Sequence, residues 1–100
     1  WSNDQQVRDL AREDRVESGF RHVRGRITRV GQGTHNIWLN IGNKLAIRIS
    51  RKDLGHFSDW QFNSLVGQLI ETSGWVYTSK GEQRLRVYHP SVILFHDPAD

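Results

Sequence analysis

Between Val23 and Ile49, apolar residues recur at every second position. Val23, Gly25 and Ile27 alternate with Arg24, Arg26 and Thr28. Ile37, Leu39 and Ile41 alternate with Trp38 and Asn40, and Leu45, Ile47 and Ile49 alternate with Ala46, Arg48 and Ser50. A period of two belongs to strands, because successive side chains point to opposite faces of a sheet. The pattern predicts three strands in succession, each with one face in a core. "GQGTHN" and "GN" supply the turns, being rich in residues that tolerate positive φ. Gly25 inside the first strand predicts a sharp bend or a bulge.

The alternation breaks at "SRKDLGHFSDWQFNSLVGQ", where Ser58 is expected to cap a short helix that turns Phe62, Leu65 and Val66 inward. "LIETSGWVYTSKGEQRLRVYH" then reads as a hairpin turning at Ser79–Lys80–Gly81. Ile70, Val76, Leu85 and Val87 take its core phase. Pro90 has no N–H for a ladder and ends the last strand, and "SVILF" returns to the body. Upstream, "SNDQQVRDLAREDRVES" reads as a helix. Ser2 and Gln5 would form a capping box, Val7, Leu10, Ala11 and Val16 an apolar stripe, and Ser18–Gly19 the end. The expected organisation is a helix over 1–19, one domain over 20–95 and a tail over 96–100. The expected fold is all-β: a five-stranded OB-fold Greek-key barrel with an N-terminal helix and a short helix between strands 3 and 4. An SH3-like barrel is the runner-up, but it expects no helix at that place.

Composition narrows the chemistry. One hundred residues suit a single domain with one modest core. With no cysteine, a disulfide framework and a cysteine-based zinc site are excluded. No apolar run approaches the roughly 20 residues of a membrane helix. There is no methionine and the chain opens on Trp1, which raises the expectation of a trimmed or processed chain with any targeting signal upstream. The net charge of +3 hides an uneven distribution. Residues 1–17 carry three arginines against five carboxylates, whereas residues 18–95 carry eleven Lys or Arg against four carboxylates. A basic body with acidic ends points to a polyanionic partner.

Arg24, Arg26, Trp38 and Arg48 share the non-core phase of the first three strands. Aromatics that stack on bases and arginines that follow phosphates are the parts of a single-strand-binding sheet face. His35 and Asn36, in and beside the turn, are candidate contacts to the same ligand. Trp75, Tyr77, Arg84, Arg86 and Tyr88 form a secondary patch on the last hairpin, which cross-strand aromatic–arginine packing explains equally well. His22, His35, His56, His89 and His96 are scattered, and no pair has the spacing of helical metal ligands. No metal site, catalytic residue or cofactor is therefore assigned. "GQG" is too short for a phosphate-binding loop and opens no helix.

The ordered pieces Gly25–Arg26–Ile27, Trp38–Leu39–Asn40–Ile41–Gly42, Leu65–Val66–Gly67–Gln68, Gly74–Trp75–Val76 and His89–Pro90 with Ile93 resemble the OB-fold module of bacterial thermonuclease-like proteins. The resemblance covers Phe20 to Ile93. It implies a nucleic-acid-binding domain, often exported, envelope-anchored or a lipoprotein; a cytoplasmic place stays open. Active members carry an Asp-Gly-Asp-Thr turn whose acids help to hold calcium. Here that turn reads Gly31–Gln32–Gly33–Thr34, without either acid. Arg48 and Asp53 match the next two functional positions, and His56 stands where a Glu is expected. One carboxylate holds a hard cation poorly. The expectation is a non-catalytic binder of nucleic acid, single-stranded by preference. The alternatives are an atypical metal-dependent nuclease and an envelope module that binds protein or glycan.

Overall fold

The computed structural model describes residues 7–12 and 15–96. These residues are all-β and form eight strands among them: β1 Val7–Asp9, β2 Gly19–Arg26, β3 Arg29–Gln32, β4 Asn36–Ile41, β5 Leu45–Ser50, β6 Leu69–Ser79, β7 Glu82–Arg86 and β8 Ile93–His96. The hydrogen-bonded path runs β1-β2-β6-β7-β5-β4-β3, with β8 pairing β6 off this path. The path is open, and β1 and β3 are its ends. β1 pairs parallel with β2 and β5 pairs parallel with β7; every other pair is antiparallel.

The alternation finds its core. Val23, Ile27, Ile37, Leu39, Ile41, Leu45, Ile47 and Ile49 are buried together with Ile70, Val76, Leu85 and Val87. The hairpin turns where expected. Lys80 and Gly81 have φ of 53° and 78°, the two positive values that match a tight two-residue turn to strand twist.

The first predicted strand is two. β2 pairs with β6, and then the chain crosses Ile27–Thr28 and continues as β3 beside β4. That joint is bonded on both sides. Ile27 N–H donates to the Gln68 carbonyl at 2.9 Å and Thr28 N–H to the Asn40 carbonyl at 2.8 Å. Gly31 and Gln32, expected in the turn, therefore lie in β3.

The expected bend at Gly25 is displaced to this joint, and the glycine answers a different need. A Cβ there would sit 2.6 Å from Ile41 Cγ2 and 3.3 Å from Leu10 Cβ. Its missing side chain lets both residues fill the core.

The helix expected over residues 1–19 is not what the described part adopts. Val7–Asp9 is a strand, and Leu10 N–H donates to the Arg24 carbonyl at 2.8 Å. Of the expected apolar stripe, Leu10 and Val16 are buried, Val7 is half-buried and Ala11 is exposed; an edge of β2 left open for pairing prevails over a helical turn whose stripe is narrow. The capping box at Ser2 and Gln5 lies outside the described residues, as do 97–100 of the tail.

Two 3₁₀ turns, Arg51–Phe57 and Phe62–Leu65, replace the single short helix. Ser50, not Ser58, caps the first by accepting from Lys52 N–H. Phe57 and Leu65 point inward. Phe62 packs partly buried against the core, whereas Val66 is exposed. Trp60 packs edge-on to Phe57 and to Phe95, at 5.0 and 5.2 Å between ring centres.

Gly25→Ala should destabilise the protein by about 1–3 kcal/mol, the usual cost of overpacking a filled core. Urea unfolding followed by circular dichroism measures this, and Gly25→Ala should cost less in an Ile41→Ala background, which removes the clashing Cγ2, than in the native chain.

Candidate nucleic-acid interface

β4, β5, β7 and β6 lie side by side, and their registers place the outward residues in rows. Trp38 stands opposite Arg48, and Arg48 opposite Arg86. Ala46 stands opposite Arg84, and Arg84 opposite Tyr77. The residues that the sequence divided into a primary set and a secondary patch thus meet on one surface: Trp38 and Arg48 with Tyr77, Arg84, Arg86 and Tyr88.

Each arginine is held. Arg48 Nε donates to Asn36 Oδ1 at 2.9 Å and Nη1 to the Tyr77 hydroxyl at 3.4 Å. The Arg84 guanidinium lies 4.7 Å from the centre of the Trp38 ring, and that of Arg86 lies 4.3 Å from the Tyr88 ring. Cation–π contacts of this kind contribute about 0.5–2 kcal/mol, more as water is excluded. Arg84 also donates to Glu82 Oε1 at 2.9 Å, and Arg86 meets Asp53 Oδ2 at 3.5 Å. The buried Nε–H groups of Arg84 and Arg86 have no acceptor among the described residues. A buried donor without a partner costs about 1–3 kcal/mol, so this surface is short of acceptors.

Other expected residues lie elsewhere. β2 does not pair with β4: the residue opposite Trp38 is Gly31 of β3. Arg24 and Arg26 stand on β2 between β1 and β6, with Arg24 opposite Glu71 and Arg26 donating to the Gly67 carbonyl at 2.7 Å. A phase rule assigns a face but not a neighbour, so sequence alone merged two surfaces. His35 is exposed in the β3–β4 turn, and its carbonyl accepts from Arg51 N–H at 3.0 Å. Asn36 orients Arg48. Trp75 stands apart on β6, exposed, with Phe20 edge-on at 5.7 Å.

Asp53 lies with Arg86 rather than with Arg48. Among the described residues no group of three His, Asp or Glu side chains is disposed to hold a metal ion, and no helix is long and apolar enough to cross a membrane. One cluster escaped sequence reasoning: His22 and His96 both bond to Glu71. All three are on outward phases, but only the β2–β6–β8 pairing shows that they touch.

No protein-family model matches the chain, and no curated protein matches it.

If Arg84 covers Trp38 in solution, Arg84→Ala should raise acrylamide quenching of tryptophan fluorescence, while Arg86→Ala, at the Tyr88 ring, leaves it unchanged.

Proposed function

We propose that this chain is an OB-type barrel that binds single-stranded nucleic acid on the outer surface of β4, β5 and β7 and catalyses nothing there. The barrel reading draws support from the strand order. With β2 and β3 taken as one bent strand, the first pairs with the second (β4) and the fourth (β6), and the third (β5) runs parallel to the fifth (β7). The two 3₁₀ turns fall between the third and fourth strands.

One observation carries the binding reading. Arg48, Arg84 and Arg86 occupy neighbouring positions on β5 and β7, among the rings of Trp38, Tyr77 and Tyr88. Cations follow a phosphate backbone, and rings accept bases of any sequence. The Arg84 and Arg86 side chains keep part of their surface open to solvent, and a phosphate oxygen is an acceptor of the right charge for a guanidinium. A base reaches Trp38 when Arg84 exchanges the ring for a phosphate. The carboxylates beside the face, Asp53 and Glu82, are each engaged by an arginine, so neither is free to act as a base or to gather a cation.

Binding of a fluorescent single-stranded oligonucleotide, titrated with salt, tests this. Arg84→Ala and Arg86→Ala should each flatten the dependence of log affinity on log salt by about 0.7, the counterions released per phosphate contact on a single strand. Trp38→Ala should weaken binding at least several-fold, given that a stacked base contributes about 1–3 kcal/mol. The oligonucleotide should stay intact with calcium or magnesium. Cleavage would make the chain a nuclease, and absence of binding at low salt would favour a protein- or glycan-binding module.

A further inference from the structure

A second outward surface is formed by β1, β2, β6 and β8. Glu71 of β6 stands opposite Arg24 of β2 on one side and Leu94 of β8 on the other. His22 and His96 reach it diagonally. His22 Nε2 is 2.8 Å from Glu71 Oε2, and His96 Nε2 is 3.0 Å from Oε1. The carboxylate side chain is 17 % exposed, while the rings are 30 % and 37 % exposed. One half-buried anion is thus gripped at both oxygens by two rings that open to solvent.

An ionised carboxylate only accepts hydrogen bonds, so each Nε2 carries its proton. The neutral ring then presents Nδ1 as an acceptor, which turns a phosphate oxygen away. Protonation converts Nδ1 to a charged donor without disturbing the bond to Glu71. Arg24 and Arg26 share this surface, and Asp9 of β1 lies opposite Arg24. Glu17, before β2, is paired with Arg21 at 3.7 Å. With neutral imidazoles, Arg24 and Arg26 are balanced by Asp9 and Glu71. With both protonated, the surface has two positive charges in excess, beside the exposed rings of Phe20 and Trp75.

We propose that this surface is a second contact site for the phosphates of single-stranded nucleic acid, engaged only when His22 and His96 are protonated. It rests on the reading that the chain binds nucleic acid, but it uses a different set of residues. Arg24, Arg26 and Trp75 then belong to this site, and the β4–β5–β7 surface works at either charge state.

The test is the salt dependence of oligonucleotide binding at about pH 7.5 and about pH 5.5, which bracket ordinary imidazole titration. For the native chain the slope should steepen by about 1.4 on acidification, two contacts at about 0.7 each. H22Q/H96Q should lose that increment. His35, His56 and His89 are common to both proteins, so the difference isolates the pair. The single variants H22Q and H96Q should each lose about half of the increment, about 0.7, and serve where the double variant does not fold. A slope that ignores pH, or an increment equal in native, H22Q, H96Q and H22Q/H96Q, overturns the proposal while leaving the first interface standing. Binding that appears only in acid and is lost in H22Q/H96Q supports it and overturns the first interface. No binding at either pH overturns both.

Discussion

The arrangement depends on what the chain does at Ile27 and Thr28. Ile27 is buried and ends the pairing with β6, while Thr28 begins the approach to β4. The Thr28 hydroxyl donates to the Asn40 carbonyl at 3.1 Å and accepts from Gly42 N–H at 2.9 Å. One short side chain thereby satisfies the backbone at the end of β4, where a bend would otherwise leave polar groups unpaired. Because the direction of β4 is set here, so is the phase that turns Ile37, Leu39 and Ile41 inward and Trp38 outward. The joint also explains why β2 and β3 serve opposite regions of the sheet although only two residues separate them.

The central strand shows how a charged side chain is tolerated in such a place. β5 is buried at every position except Arg48, which is half-buried. It pairs with β4 on one edge and in parallel with β7 on the other. Parallel pairing tends to be covered on both faces, and here the cover is polar: Asn36 and Tyr77 take up two of the Arg48 donors. The guanidiniums of Arg84 and Arg86 lie over rings rather than over one another. Ring quadrupoles thus do part of the work that counter-ions do elsewhere, which leaves positive charge available at the surface.

How much of this was readable follows from what a period can encode. Alternation identifies the inward residues, and Val23, Ile37, Leu39, Ile47, Val76 and Leu85 are all inward. Turn chemistry locates Lys80–Gly81. Neither says which strand lies beside which, and both candidate surfaces depend on that. Arg24 and Trp38 share a phase but not a surface; His22, Glu71 and His96 share a surface with no signal in their spacing. The N-terminal segment misled for another reason. Val7, Leu10, Ala11 and Val16 are spaced as a helical stripe, but a short edge strand needs only a free ladder, which β2 provides. The 3₁₀ turns were signalled only as a break in the alternation, since capping residues occur on both sides of it.

β6 has one more consequence. It runs eleven residues, the whole of β2 lies along one edge, and β7 and β8 divide the other. Tyr77 and Glu71 are on the same phase of this one strand, toward opposite ends. At a rise of about 3.3 Å per residue they stand roughly 20 Å apart. If one strand engages both proposed surfaces, this spacing sets the shortest oligomer able to span them.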